Sequence, residues 1–194
     1  MSILDRLFGK RAEKERAPAP DEITAISFDQ LVADYPVLKR IMDAPNDPTA
    51  IREAAGPEWH ENLDMSVMTI LLGVKAGAAP AWVHMTVGAT LEQPTLQQVL
   101  RWIVVEKLQM EVDRYAQSGQ YHRALDSYKK AIAVGADIAW PVTYMSAGNA
   151  LAELGQIDKS IAYLEQALKR ANPGPLRDRI RANLDIAKSR KRGR

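Results

Sequence analysis

A chain of 194 residues, 46% hydrophobic and 26% charged, has room for one domain, or one domain with a helical annex, and for a core of its own. It contains no cysteine and three histidines, which excludes disulfides, thiolate zinc sites and cysteine nucleophiles and leaves little scope for a histidine-rich metal centre. The net charge of +2 is uneven: residues 177–194 stand at +6, residues 1–16 at +2 and the stretch between at −6, so a basic tail on an acidic body suits an anionic partner or folds back on that body.

The chain opens on Ile3, Leu4, Leu7 and Phe8, one face of two helical turns, followed by Lys10, Arg11, Lys14 and Arg16. A secretory signal places its charges before its apolar run, so this order predicts none, and with no cysteine a cytoplasmic home is expected. The same patch beside basic residues is a candidate for docking on an anionic membrane surface or on a protein partner. Residues 9–22 are charged, Pro-rich and free of large apolar groups, which predicts a linker between an arm and a helical region over 23–93.

Ser27 caps a predicted helix running to about Asp43, with Pro36 as a kink or interruption. Asp47-Pro48 starts a short helix to Ala55, which Gly56-Pro57 ends. The next helix is expected to carry Trp59, Leu63, Val67, Ile70, Leu71 and Val74, and a shorter one after Pro80 to carry Trp82, Val83, Met85 and Val87. Residues 65–89 are apolar, but Gly73, Lys75, Gly77, Pro80 and Gly88 interrupt them. A membrane span needs about 20 predominantly apolar residues in a row, so two short buried helices with a turn at 77–80 are expected instead. Thr95 and Gln98, spaced as a capping box, open a helix to about Ser118. No stretch alternates with period two for long enough to demand a sheet, and the reading is all-α.

Catalytic motifs are hard to find. His60-Glu61-Asn62-Leu63-Asp64 has the start of a zinc-protease motif without its second histidine, and its plain reading is a polar helix surface. There is no Gly-rich phosphate loop, no Gly-x-Ser-x-Gly elbow and no legible carboxylate pair. No enzyme, metal or cofactor is expected.

The C-terminal half repeats itself. Gly119, Tyr121, Ala124, Leu125, Tyr128 and Ala131-Ile132 are answered 36 residues later by Gly155, Ile157, Ser160, Ile161, Leu164 and Ala167-Leu168. Each Gly permits the left-handed backbone that ends a helix, and the small residues let the next helix press close. Such a pair leaves apolar surface on both sides and needs neighbours.

These residues resemble the tetratricopeptide repeat. The first copy, 105–138, matches in Tyr115, Gly119, Tyr121, Ala124, Leu125, Tyr128 and Ala131; the second, 141–174, matches in Tyr144, Gly148, Ala150, Leu151, Leu154, Gly155, Ile161, Leu164, Ala167 and Leu168. The departures are Leu108 for the usual Trp, Val112 for Gly and Ser160 for Ala, and a spacing longer than the family's 34 or so residues, with the surplus in the loop 134–138. Pro175 starts a last helix with Ile180, Leu184 and Ile186, in the place of a capping helix. The resemblance implies a short α-solenoid of stacked helical hairpins over 94–194, preceded by an N-terminal helical region.

It also implies a concave groove lined by the first helix of each pair: Gln109, Asp113 and Gln117, then Met145, Asn149 and Glu153. Asn149 matches an Asn with which family members bond the backbone of an extended peptide. Members that clamp a carboxylate use Lys and Arg where this chain has Gln109 and Met145, so that mode is not expected, although Arg177 and Arg181 on the last helix are candidate anion contacts. The basic tail Lys188-Ser189-Arg190-Lys191-Arg192-Gly193-Arg194 has no interleaved aromatics, so nucleic acid is not the expected partner. The expected function is a non-catalytic adaptor or assembly factor holding a peptide or helix of a protein partner. The alternative is a cytoplasmic chaperone for a secreted or membrane substrate, peripheral to the membrane.

Overall fold

The computed structural model describes Pro20 and residues 23–84, 90–135 and 141–193. The apolar arm Ile3, Leu4, Leu7 and Phe8 lies outside them, as do Met85 and Val87. Helix α1 (Phe28–Asp34) starts where the Ser27 hydroxyl accepts the Gln30 N–H at 3.1 Å. Pro36 divides it from α2 (Val37–Asp43). Helix α3 (Pro48–Ala55) is capped by Asp47, whose carboxylate accepts from the Ala50 N–H at 2.9 Å, and ends at Gly56 with φ 86°.

Two local expectations are corrected beyond this point. The single helix from Trp59 to Val74 is a 3-10 helix (Pro57–Asn62) followed by a separate α4 (Met65–Lys75). Asp64 sits between them in extended conformation, and its carboxylate accepts the Val67 N–H at 2.8 Å, which caps a new helix rather than continuing the old one. The helix expected after Pro80 is instead a two-stranded antiparallel hairpin, β1 (Trp82–His84) with β2 (Thr90–Glu92). Val83 and Leu91 face each other across it and are the buried residues of their strands. A short aromatic and β-branched stretch with Gly88 close behind has too few residues for a stable helix, and pairing satisfies its backbone instead.

The repeat half is built as expected. Helix α5 (Leu96–Gln117) opens with the complete capping box: Gln98 N–H to Thr95 Oγ1 at 3.2 Å, and Thr95 N–H to Gln98 Oε1 at 2.9 Å. It is followed by α6 (Tyr121–Val134), α7 (Pro141–Glu153), α8 (Ile157–Arg170) and α9 (Pro175–Arg192), each packed on the one before. Gly119 and Gly155 turn the chain at φ 72° and 73°. Ala124, Ala131, Ser160 and Ala167 are all fully buried in the seams. At Gly148 the backbones come so close that an added Cβ would stand 2.8 Å from Leu164 Cγ; Val112, at the matching place in the first pair, is buried with its side chain in place. On α9 the packed stripe is Ile180, Leu184 and Ala187, at helical spacing, while Ile186, expected in that stripe, is 55% exposed.

The architecture is therefore all-α, a short solenoid of stacked helical hairpins preceded by an N-terminal helical region, with one small β-hairpin between them. Two apolar cores meet along α5. The N-terminal helices, the hairpin and the stretch Val99 to Leu108 of α5 share one with Ala131 and Val134; Val112 and the later helices form the other. The N-terminal region thus covers the face that a two-pair array would leave open. Arg101, buried, ties the two together: Nη1 donates to Val134 O at 2.7 Å and Nη2 to Ile26 O at 3.0 Å. Among the described residues no helix is long and apolar enough to cross a membrane.

Candidate interaction groove

Helices α5 and α7 are the first helices of their pairs, and residues four apart on each share a face. Of the six candidate residues on that face, Asp113, Gln117, Asn149 and Glu153 are exposed, whereas Gln109 and Met145 are buried and form its floor. Gln109 donates from Nε2 to Asp113 Oδ1 at 3.2 Å and accepts from the Thr143 hydroxyl at 3.5 Å. Tyr128 reaches the same network from α6 through hydrogen bonds with Ser146 and Gln109. Burial pushes its hydroxyl up to about 12, with the Asp113 charge adding to the rise and the two hydrogen bonds opposing it. A neutral, fixed polar network under an exposed carboxylate is a rigid floor for a binding surface.

The last helix shapes the far end. Asn183 on α9 donates from Nδ2 to Asn149 Oδ1 at 3.1 Å, and Arg190 reaches Glu153 at 3.3 Å. These residues, with Ser160, Leu164 and Ile186, line a pocket of about 170 Å³ between α7, α8 and α9. Its floor includes the Ser160 hydroxyl, buried and with no hydrogen-bond partner among the described residues.

Residues 142–172, which hold α7 and most of α8, match the family model of the tetratricopeptide repeat. The chain carries a tetratricopeptide repeat. The glycine turn, the small-residue seams and the Gly148 approach are the geometry behind that match, and the first helical pair repeats the turn and the seam at α5 and α6, with Val112 in the place of Gly148. No match was found among curated proteins or among solved structures. Tetratricopeptide repeats are in general modules of protein–protein interaction.

The candidate anion contacts on α9 hold other partners. Arg177 Nη1 donates to Leu168 O at 2.8 Å and Ala171 O at 2.6 Å, closing the C-terminal end of α8, and Arg181 pairs with Asp178 at 3.5 Å. Three tail cations lie back on the acidic body: Lys188 with Glu165 at 3.0 Å, Arg190 with Glu153, and Lys191 with Asp158 at 2.7 Å. All are solvent-exposed pairs, which orient the helix end more than they stabilise it.

Sequence reasoning missed a second cavity, of about 210 Å³, at the N-terminal end of the α5 face. Trp102, Glu106 and Met110 stand on successive turns of α5, and the 3-10 helix, α4 and β1 enclose the other sides. The Trp102 indole N–H donates to Glu106 Oε1 at 2.8 Å. Burial raises the Glu106 carboxyl above the usual carboxylate range; Asp64 and Asp113 raise it further, and the indole hydrogen bond opposes them. The spacing of 102, 106 and 110 was visible in the sequence, but a wall brought from residues 61–70 was not.

Proposed function

We propose that this protein is a non-catalytic adaptor or assembly factor whose α5–α7 groove holds an extended peptide or a helix of a protein partner. The observation that supports it is the row of exposed polar side chains, Asp113, Gln117, Asn149 and Glu153, over the buried floor of Gln109 and Met145. The amide of Asn149 offers donors and an acceptor to a peptide backbone once it is released from, or shared with, Asn183. A chaperone for a secreted or membrane substrate uses the same surface and differs only in the partner it retains.

The test is affinity purification of the tagged full chain from its native source, with the wild type beside an Asp113→Ala, Asn149→Ala double variant. A photoreactive residue at position 117 marks what lies in the groove. The expected result is a partner that crosslinks from 117 and is lost with the double variant. A partner retained equally by both proteins and never crosslinked from 117 overturns the groove assignment.

A further inference from the structure

We propose that the pocket between α7, α8 and α9 receives an uncharged carboxamide side chain, that of a glutamine or asparagine, from the protein partner held in the groove. The observation that points to a ligand is Ser160. It lines this pocket of about 170 Å³ and is 0% exposed, and its Oγ has no hydrogen-bond partner among the described residues. The matching seam of the first pair closes on Ala124, equally buried, so packing does not require a hydroxyl there. Burying a hydroxyl without a partner is costly, and a ligand that bonds it removes that cost.

Two amides frame the pocket from the other helices. Asn183 on α9 follows Asn149 on α7 by 34 residues, about the length of the repeat, so α9 stands as the first helix of a further pair and the pocket lies where the groove passes from α7 to α9. A single hydrogen bond of 3.1 Å joins the two amides and uses one N–H and one oxygen. The oxygen of one amide and the NH₂ of the other remain, whichever way round the pair is set, with no further partner among the described residues. A primary carboxamide carries a donor and an acceptor together and answers both, with the acceptor also open to the Ser160 O–H.

Charge decides the class of side chain. Glu153 and Arg190 line the pocket and pair with each other at 3.3 Å. An entering carboxylate meets the like charge of Glu153, and an entering ammonium meets that of Arg190; a neutral polar group meets neither. The rest of the wall is apolar, with Leu164 and Ile186 suited to a methylene stem. Ile186 is 55% exposed on a helix whose Ile180 and Leu184 are buried, and a stem lying against it covers it. The volume is far above the ~10–15 Å³ that admits one water. The proposal rests on the groove reading for the source of the side chain, but the pocket is tested without a partner.

The full chain, ¹⁵N-labelled, is titrated with butyramide, with 2-pentanone, which keeps the oxygen and lacks the donor, and with butyrate, which is charged. The side-chain NH₂ resonances of Asn149 and Asn183 are followed. The expected result is a saturable shift with butyramide and none with the other two. Ser160→Ala and Asn183→Ala each weaken butyramide binding about fivefold or more, and Asp126→Asn, on α6, leaves it unchanged. Ser160→Ala removes an unpaired buried group, so its lost binding is read in a protein at least as stable as the wild type. No saturable shift with butyramide, equal shifts with 2-pentanone or butyrate, or full binding in Ser160→Ala overturns the proposal. So does a Ser160→Ala protein less stable than the wild type, which shows the hydroxyl already bonded in solution. Butyramide binding with no partner crosslinked from position 117 removes the partner's groove and keeps the pocket; a crosslinked partner without butyramide binding removes the pocket alone.

Discussion

The two halves of this molecule close their helix ends with the same two devices in different proportion. In the repeat half the turn inside each helical pair is local: Gly119 and Gly155 turn the chain within a residue or two, and the next helix runs straight back along its neighbour, while the second helices of the pairs end on Arg101 and Arg177 from other helices. In the N-terminal half Gly56 ends α3 locally, and long cations do the rest from a distance. Lys75 Nζ donates to Ile41 O, Met42 O and Ala44 O at 2.7–3.0 Å, Arg40 reaches Ala54 O at 2.8 Å, Arg52 reaches Leu63 O at 2.6 Å, and Arg101 joins Ile26 and Val134. Both devices satisfy carbonyls that a helix leaves unpaired at its C-terminal end, and Arg101 also takes up the Ile26 carbonyl in the segment before α1. The local device can be copied along a chain, and here it is. The long-range device works once, for one arrangement of neighbours.

Breaking the long-range device has the largest expected effect. Arg101→Ala leaves the Ile26 and Val134 carbonyls without their donor at the contact between the halves, at about 1–3 kcal/mol for each unpaired group. Urea unfolding should show a lower midpoint, with the loss concentrated in the docking of the N-terminal region; an unchanged midpoint would mean that Ile26 and Val134 find other donors. Overpacking the local device comes next. Ala131→Leu places a large group where the residue is fully buried between helices, and should cost about 1–3 kcal/mol in the same experiment.

A smaller change, of opposite sign, sharpens the comparison between the two repeats. Ser160 stands where the first pair has Ala124, and its buried hydroxyl has no partner among the described residues. Ser160→Ala should therefore stabilise, by about 1 kcal/mol, measured as a raised unfolding midpoint. A loss of stability there would show that the hydroxyl is bonded in solution.

The smallest effect is one of pH. The Glu106 carboxyl is raised in the folded state, so its contribution to stability is fully present below the ordinary carboxylate range and is lost as the pH rises through the raised value. Glu106→Gln cannot ionise. It should be more stable than the wild type at neutral pH, and the difference should close on acidification. The two proteins differ at no other group, so unfolding curves of the pair at matched pH isolate the one carboxyl. A gap that stays constant from neutral to acidic pH would contradict the assigned burial of its charge.

Where the sequence could be read, the reason is periodicity. The caps at Ser27, Asp47 and Thr95 need one side chain and a backbone N–H three residues on, and all three form as their spacing predicts. The repeat is visible because glycine and alanine recur at the same offset in both copies. The misreadings fall where two local signals compete. Asp64 lies inside an apolar helical pattern and wins as a cap, and Val83 belongs to a pattern too short to distinguish helix from strand until Leu91 is opposite it. Ile186 fits the stripe of α9 by hydrophobicity, but the angle of approach gives the seam to Ala187. The candidate groove follows the same division. Its face was legible from four-residue spacing on α5 and α7, while the burial of Gln109 and Met145 depends on how close α7 comes to α5 and could not be read from either helix alone.

The amino-acid sequence by itself determined that this protein is helical, that its second half is a repeated hairpin of the tetratricopeptide kind, and that one face of that repeat carries polar groups. These follow from propensity, capping and period, which act over a few residues. Tertiary structure alone decided that the N-terminal helices seal the open end of the array, that cations cap helices far from them in sequence, and that Glu61, Asn62 and Asp64 stand across a cavity from Trp102 and Glu106. The physical reason is that burial, orphaned acceptors and shared fields exist only between surfaces, and no single segment of the chain contains both surfaces.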